Sequence, residues 1–429
     1  MKFAKFLEET SGYTANKLRK NGKDSLADLY EKCYESTLKT TVKIMEDGTT
    51  FLVTGDIPAM WLRDSSAQVC HYLPWADRYP ETSDLIQGLI QRQFRYIDLD
   101  PYANAFNPEP NGACYTKDKM EIEESPWIWE RKYEIDSLCY PIHLAYQFWK
   151  TTGRTDWADS YFRSAADKIL ALWTREQNHE ENSPYRFTRE NCPPTDTLHR
   201  EGKGAPVVPT GMTWSGFRPS DDACVYGYLI PSNLFAAAVL KKLAEIAEQV
   251  INDSTMAEKA RKLSAEISDG VKQYGIVERE GFGKIYAYET DGQGNYVFMD
   301  DANVPSLLSL PYLGCCDVED EIYQNTRRFI LSKNNPYYYE GKVLKGIGSP
   351  HTPENYVWHI SLSMQGLTAN NREEMEAILS MIENSHAGTL QMHEGVNVDN
   401  PEEFTRPWFA WANSIFSEFV AYYTNQYLK

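Results

Sequence analysis

Five segments of the sequence combine aromatic side chains with carboxylates and with arginine or histidine. They are residues 55–66, 127–136, 213–222, 348–354 and 392–408. When a glycosidic bond is hydrolysed, one carboxylic acid protonates the leaving oxygen and a second carboxylate activates water or attacks the sugar carbon. Arg–Asp pairs offer fixed donors and acceptors to neighbouring hydroxyl groups, and aromatic rings cover the C–H face of a sugar. The composition of these segments therefore favours chemistry on a carbohydrate.

The candidate carboxylates are Asp221 and its neighbour Asp222 in the third segment, and Glu394 in the fifth. A purely structural role is open for each of them. The two aspartates could face a helix N-terminus, where the dipole lowers a carboxyl pKa, whereas a general acid needs a raised one. Pro231 predicts that the next helix starts further along, which would leave Asp221 upstream of that dipole. Glu394 could equally be a solvated glutamate in a glycine-flanked loop.

The other side chains of these segments also have ordinary structural interpretations. Arg63 and Asp64, taken alone, are typical of a simple ion pair. Trp127 and Trp129 are two residues apart, and packing in the core accounts for at least one of them.

Helix-period patterning fills most of the chain between these segments. In 232–250, for example, Phe235, Val239, Leu243 and Ile246 fall on one face. Such patterns predict about a dozen helices. The predicted ranges are 24–44, 64–78, 82–98, 134–151, 155–174, 232–250, a helix opened by a capping box at 255–258, 301–312, 319–332, 354–369, 371–385 and a last helix with Pro407 in its first turn.

Short breaks between these ranges indicate helical hairpins. In 151–155, Gly153 suits the position after a helix and Thr155 suits an N-cap. Six hairpins can close into a ring, although the pattern alone also fits an open solenoid. The best strand candidates are 49–53 and 284–288, and no shift in composition marks a domain boundary. We therefore expect an all-α fold with long loops and minor strands, forming one domain over residues 1–429.

Charge and composition narrow the class of partner and the compartment. The chain has 43 Lys and Arg against 61 Asp and Glu, a net charge of −18, which disfavours nucleic acid and anionic membranes as partners. It has no apolar run of signal-peptide or membrane-spanning length. The spacing of its eight cysteines does not resemble a framework of disulfide bonds. A cytoplasmic protein is expected. Neither C-x-x-C nor H-E-x-x-H occurs, so no metal site is predicted.

Four motifs carry a resemblance to a known family. They read Gly-Asp-Ile-Pro-Ala-Met-Trp-Leu-Arg-Asp-Ser from Gly55, Trp-Ser-Gly-Phe-Arg-Pro-Ser-Asp-Asp from Trp214, Met-Asp-Asp-Ala-Asn-Val-Pro-Ser-Leu-Leu from Met299 and His-Glu-Gly from His393. From about residue 25 onward, the chain resembles glycoside hydrolase family 125, the metal-independent exo-α-1,6-mannosidases. The resemblance implies an (α/α)6 barrel that releases non-reducing terminal α-1,6-linked mannose with inversion, and implies no metal or other cofactor.

The resemblance also implies roles for individual residues. Asp221, rather than Asp222, is expected to be the general acid, and Glu394 the general base. The expected sugar pocket consists of Trp61, Arg63, Asp64, Asp136, His351 and Arg406. The expected partner is a mannose-containing oligosaccharide, derived from N-glycans or mannan and bound by a monomer.

Three other functions are consistent with parts of the sequence. A related toroidal glycosidase acting on α-glucans has a similar composition. A metal-dependent isoprenoid enzyme is suggested by Asp221–Asp222 and Asp300–Asp301, but neither pair is followed by the further aspartate that such clusters need. A non-catalytic glycan-binding protein is disfavoured because both candidate carboxylates are present.

Overall fold

The computed structural model describes residues 3–119 and 125–429, and helices dominate it. In chain order the α-helices are α1 (Ala4–Lys20), α2 (Asp24–Thr40), α3 (Leu62–Ala67), α4 (Pro80–Leu99), α5 (Ile135–Thr152), α6 (Ser160–Glu176), α7 (His179–Asn182), α8 (His199–Gly202), α9 (Ile230–Gln249), α10 (Ser254–Tyr274), α11 (Glu321–Ile330), α12 (His359–Leu367), α13 (Arg372–Glu383) and α14 (Ala410–Tyr427). Short 3₁₀ helices cover Cys70–Trp75 and Pro194–Asp196.

The strands are short and form small antiparallel sheets. They are β1 (Val42–Ile44), β2 (Thr50–Leu52), β3 (Met60–Trp61), β4 (Ala105–Phe106), β5 (Ile128–Glu130), β6 (Tyr228–Leu229), β7 (Ile276–Arg279), β8 (Gly283–Tyr286), β9 (Glu289–Thr290), β10 (Tyr296–Val297), β11 (Tyr338–Glu340), β12 (Lys345–Ile347), β13 (Tyr356–Trp358) and β14 (Gly395–Asn397). The predicted strands 49–53 and 284–288 are confirmed as β2 and β8.

The helices form two concentric layers. The inner layer consists of α3, α5, α9, α12, α14 and the buried segment 300–313, and α2, α4, α6, α10, α11 and α13 form the outer layer. Within the inner layer, α14 packs against α12 and α3, α3 against α5, and α5 against α9. The segment 300–313 contacts this layer, since Tyr140 of α5 donates to the Val304 carbonyl (3.4 Å) and Tyr312 donates to Glu418 of α14 (2.9 Å). The predicted (α/α)6 barrel is therefore confirmed.

The sequence of each helix explains its layer. Along α9, the stretch Phe235–Leu240 is buried residue after residue, which requires neighbours on every side. Along α10, burial follows one stripe that includes Leu263, Ile267 and Val271, while the other faces remain in solvent. An apolar stripe on one side suits an outer helix, and an all-round apolar surface suits an inner one.

One predicted helix is wrong: residues 301–312 form consecutive buried turns. The Asp300 carboxylate accepts hydrogen bonds from the backbone N–H groups of Leu307 (2.8 Å) and Leu308 (3.0 Å). Pro305 has no N–H group to donate to a helical ladder. The apolar period of this segment therefore reflects burial on the inner layer rather than helical geometry.

Several predicted helix ends also shift. Gly153 ends α5 in a left-handed conformation (φ 71°), as predicted. Thr155 is not an N-cap, because α6 starts at Ser160 and Asp159 accepts from its first turn; Asp253 rather than Thr255 caps α10 in the same way. Pro407 precedes α14 by three residues rather than lying in its first turn. In both capped helices a nearby aspartate, a strong N-cap residue, replaces the predicted threonine.

A cluster of buried apolar side chains extends from Phe3 to Leu428. Among the helices within residues 3–119 and 125–429, none is both long and apolar enough to cross a membrane. The small sheets lie between the helices and bring distant segments together before the inner helices begin. Thus β3 pairs with β4 and β4 with β5, while β13 pairs with β14 so that Trp358 lies opposite Gly395.

Candidate active site

A pocket of about 270 Å³ lies at the N-terminal ends of the inner helices. It is lined by Thr54, Ile57, Trp61, Arg63, Asp64, Ser220, Asp221, Asn303, His351, Trp358, Glu394, Arg406 and Phe409. Its volume is near the lower end of the range for small-ligand sites, about 300–1,000 Å³. A larger groove of about 660 Å³ near the end of α13 contains none of the predicted site residues.

The pocket brings together most of the residues singled out from the sequence. Both candidate catalytic carboxylates, Asp221 and Glu394, contribute to its wall. Of the predicted sugar-contacting residues, those in the wall are Trp61, Arg63, Asp64, His351 and Arg406. Asp136 is not in the lining: it is fully buried behind Arg63, and its carboxylate accepts from Arg63 Nη1 at 3.1 Å.

Asn303, Trp358 and Phe409 line the pocket but were not predicted. Asn303 lies in the motif that begins at Met299, and its side chain donates to the Pro219 carbonyl (2.7 Å) just before Asp221. Trp358 and Phe409 directly precede α12 and α14. An aromatic residue directly before a predicted helix is the feature of the sequence that could have indicated them. Only the folded barrel shows that the N-terminal ends of α12 and α14 lie at the same pocket.

A glycine joins two parts of the pocket wall. Gly55 has φ 131°, and a Cβ placed there would lie 2.4 Å from the Trp408 carbonyl oxygen. Residues 55 and 409 form an isolated β-bridge at this point. Only glycine permits both the backbone conformation and the close approach, so this position holds Ile57 and Phe409 in one wall.

Arg63 is a buried cation surrounded by four carboxylates. It lies in the first turn of α3, and its guanidinium is 2.7 Å from Glu134, 3.1 Å from Asp136, 3.4 Å from Asp64 and 3.7 Å from Asp221. Such a cation offsets the cost of burying the carboxylates. Since one positive charge cannot neutralise four negative ones, the cluster favours retention of protons.

The backbone at Asp221 aims its side chain into the pocket. Asp221 has a left-handed conformation (φ 68°), which is uncommon for a residue with a side chain. The ammonium group of Lys132 donates to the Asp221 carbonyl at 2.7 Å, and the Asp221 amide donates to Arg218 at 2.9 Å. The Asp221 side chain is 28% exposed, whereas that of Asp222 is 4% exposed and contacts His351. The two adjacent aspartates therefore point to different surroundings.

The Asp221 and Glu134 carboxyl groups share the Arg63 guanidinium, which lies 3.7 Å from Asp221 and 2.7 Å from Glu134, and each group has one buried oxygen that accepts from no donor of the described residues. Burial raises the pKa of Glu134 well above its usual value, although Arg63 opposes this, and the negative charge of Asp221 adds to the increase. Burial also acts to raise the pKa of Asp221, but Lys132, Arg63 and the hydrogen bond from Glu134 outweigh it and hold that pKa below its usual value. These opposite directions favour Glu134 as the member of the pair that carries a proton when the pair holds one.

His351 lines the pocket beside Asp222. Its side chain is 37% exposed, and its Nδ1 lies 3.1 Å from Asp222 Oδ1. Burial acts to lower the pKa of His351, but the hydrogen bond and charge of Asp222, with Glu394 and Asp221 behind it, raise that pKa to about 9.

Replacing Asp222 with asparagine is expected to lower the pKa of His351. The His351 resonance should titrate near pH 9 in the wild type and closer to the ordinary 6.5 in Asp222→Asn, as measured by NMR. Because the folded-state pKa is raised, the stabilisation from this pair is complete below pH 6.5 and is lost as the pH rises through 9. An unchanged midpoint in Asp222→Asn would show that another group charges His351.

Glu394 is positioned by a separate set of contacts. It is buried directly before β14, and one carboxylate oxygen accepts from Thr405 Oγ1 at 3.0 Å. Arg406 Nη1 lies 3.7 Å from the other oxygen, while Arg406 Nε donates to Asp56 at 3.0 Å. Glu394 and Asp221 thus occupy one pocket but are positioned by different cations.

Within the described residues, no group of three or more His, Cys, Asp or Glu side chains is arranged to hold a metal ion. The pocket instead combines paired carboxyl groups, cations and aromatic faces. Together with the (α/α)6 barrel, these are the components of an inverting or retaining glycoside hydrolase, in which two carboxyl groups carry the chemistry.

Comparison with known proteins identifies the family. The sequence profile described as metal-independent alpha-mannosidase (GH125) matches residues 23–421. The chain belongs to this family, glycoside hydrolase family 125, and is therefore a glycoside hydrolase of the α-mannosidase class. The family resemblance predicted from the four motifs is confirmed.

Solved structures and a curated relative agree with this assignment. A Streptococcus pneumoniae metal-independent α-mannosidase, in a non-productive complex with α-1,6-mannobiose, is 48% identical; the match covers 98% of this chain and 99% of that one, with a TM-score of 0.96. The meiotically up-regulated gene 157 protein of Schizosaccharomyces pombe is 39% identical over 422 residues, covering 92% of this chain and 82% of the relative. A bacterial glucoamylase complexed with acarbose shares the fold at 14% identity, with a TM-score of 0.63 over 94% of this chain and 56% of that one.

Proposed function

We propose that this protein is an inverting exo-α-1,6-mannosidase in which Asp221 is the general acid and Glu394 the general base. The observation that supports these roles is the presence of both carboxyl groups in one small pocket, each positioned by different partners. The α-1,6 linkage is supported by the mannobiose bound to the Streptococcus pneumoniae relative. We further propose that residues 1–429 form one catalytic domain.

The mechanism is a single displacement at the anomeric carbon. Asp221 donates its proton to the glycosidic oxygen as the bond from that oxygen to the anomeric carbon breaks. Water attacks the same carbon from the opposite face, and its proton passes to Glu394. Each turnover consumes one water and releases mannose in the β configuration.

Three features of the pocket support the choice of acid and base. Asp221 is the partly exposed member of the aspartate pair, whereas Asp222 is occupied with His351. Glu394 accepts from Thr405 Oγ1, a contact that holds its carboxylate in the pocket wall. Trp61, Trp358 and Phe409 supply apolar faces, and Arg63 and Arg406 supply donors for sugar hydroxyl groups.

The volume of the pocket supports exo action. A space of about 270 Å³ suits a terminal sugar unit rather than a long glycan chain. In this proposal Asp64 and His351 contact the terminal mannose, and Asp136 acts on the sugar only through Arg63. A monomer in the cytoplasm, acting on imported N-glycan or mannan fragments, is the setting we propose.

Proton NMR of α-1,6-mannobiose digestion tests substrate, linkage and stereochemistry together. We expect the first released mannose to be the β anomer, equal rates with and without a chelator, and no hydrolysis of maltose or isomaltose. Initial α-mannose would contradict inversion, and hydrolysis of the glucosides would favour a glucan-active enzyme. A mannan capped at its non-reducing ends should resist the enzyme, and cleavage of its internal bonds would contradict exo action.

A further inference from the structure

Asp221, the proposed acid, shares a buried cation with Glu134. Glu134 is 1% exposed and directly precedes α5, and the Arg63 guanidinium lies 2.7 Å from Glu134 and 3.7 Å from Asp221. One Glu134 oxygen accepts from Arg63 (2.7 Å) and from Ser137 (2.8 Å). Its other oxygen, Oε1, and Asp221 Oδ1 are both buried, and neither accepts from any N–H or O–H donor of the described residues. A hydrogen bond between these two oxygens would give each of them a partner.

A hydrogen bond between two carboxyl groups requires a proton on one of them. Ionisation of both groups would place two adjacent negative charges in a buried site, which is costly. The charged and titratable groups around the pair are Arg63, Lys132 and His351 on the positive side, with Asp64, Asp136 and Cys224 as the remaining acidic groups. If Asp64, Asp136 and both members of the pair were ionised, four negative charges would face three cations. One proton on the pair balances these charges.

We propose that Glu134 is a positioning residue that keeps Asp221 supplied with its catalytic proton, the two carboxyl groups holding one proton between them. The inference rests on the proposed role of Asp221 as general acid. Asp221 on its own lies between Lys132 and Arg63, which favour its ionised form. Glu134 counteracts these cations, because its own negative charge appears whenever the proton moves to Asp221.

The proton balance of a turnover closes without any additional reactant. The shared proton moves onto Asp221 and then to the glycosidic oxygen as the carbon–oxygen bond breaks. The attacking water gives one proton to Glu394 and retains the other in the new hydroxyl group of mannose. Glu394 then releases its proton to solvent and the carboxyl pair takes one up, which restores the resting state.

The test is the pH profile of Glu134→Gln with α-1,6-mannobiose as substrate. Glutamine cannot ionise, and its amide donates to Asp221, so Asp221 should lose its proton at lower pH. We expect the alkaline limb of kcat/KM to move down by at least about one pH unit and kcat at pH 7 to fall about tenfold or more, with KM changed less than about threefold. An aryl α-mannoside whose phenol leaves without a proton should be hydrolysed at nearly the wild-type rate.

Glu130→Gln is the matched control. Glu130 is a buried carboxyl in the same segment, but its partners are Asn104 (3.0 Å) and Arg189 (2.9 Å). The same substitution there should leave the alkaline limb in place. If the limb of Glu134→Gln also stays in place, Glu134 has only a structural role and the inference is wrong.

Two further results separate this inference from the proposed function. If Asp221→Asn retains wild-type activity on mannobiose, the proposed acid role of Asp221 is wrong. If Asp221→Asn is inactive but Glu134→Gln keeps the wild-type alkaline limb of kcat/KM, only the proposed role of Glu134 is wrong. Should Glu134→Gln not fold, the infrared difference between wild type and Asp221→Asn at pH 7 replaces it. We expect a protonated-carboxyl band of the wild type to shift or disappear in Asp221→Asn, because its carboxyl partner is lost, and an unchanged band would contradict a shared proton.

Discussion

Asp221→Asn is expected to lower kcat on α-1,6-mannobiose by about 10²- to 10⁴-fold, the range for loss of a general acid, with KM within a fewfold of wild type. Asparagine preserves the size of the side chain but has no acidic proton to give to the glycosidic oxygen. Arg63 and Trp61, the pocket-lining residues proposed to contact the sugar, are unchanged in this variant. Steady-state kinetics on the disaccharide measure the effect.

Substrates with different leaving groups identify which carboxyl group is the acid. With an aryl α-mannoside whose phenol needs no proton, Asp221→Asn should recover most of its activity. Glu394→Gln should be slow on both substrates, because activation of water is required for each. Asp222→Asn should lose less activity than Asp221→Asn on the disaccharide. The reverse order for the two aspartates would transfer the acid role to Asp222.

Arg63→Met is expected to have the largest effect on folding. Removal of one partner of a buried ion pair typically costs about 3–5 kcal/mol, because the remaining charges are left uncompensated. Here four carboxylates, those of Asp64, Glu134, Asp136 and Asp221, lose their shared cation. Chemical denaturation should show the loss as a lower midpoint, and hydrolysis of mannobiose should fall with it.

The pH dependence of the Arg63→Met loss provides a further check. Burial already raises the pKa values of Asp64, Glu134 and Asp136 against the opposing effect of Arg63. Without Arg63 these folded-state pKa values rise further, so the variant is least destabilised at low pH and loses stability as the pH rises. Arg406→Met is the control outside this cluster: its side chain is 21% exposed and pairs with the partly exposed Asp56 and with Glu394, so it should lower the unfolding free energy less than Arg63→Met. Equal losses in the two variants would contradict a central role for the buried cluster.

Helix-period patterns in the sequence predicted most of the helices, and the family resemblance implied that they close into a barrel. Helix-period patterns are local, and the stripe on α10 shows how burial of one face produces them. The same reasoning was wrong for 301–312, because a buried irregular segment can carry the apolar pattern of a helix. The carboxyl group of Asp300 stabilises that segment through contacts that no periodicity contains.

Some residues of the candidate site could be found from the sequence, and others only from the folded structure. Asp221, Glu394 and Arg63 were selected from the sequence because they lie in long motifs that resemble those of the family, whereas their residue types alone left a structural role open. The positions of Trp358 and Phe409 in the pocket became visible only in the folded barrel, where the starts of inner helices meet.

The sequence by itself therefore determined the fold class, the family and the side chains able to perform acid–base chemistry. Only the tertiary structure decided that Asp136 lies behind Arg63, that Asp221 and not Asp222 lines the pocket, and that Glu134 and Asp221 share the Arg63 guanidinium. The physical reason is that hydrogen bonding, burial and pKa depend on distances between residues far apart in the chain. Closure of the helical ring sets those distances.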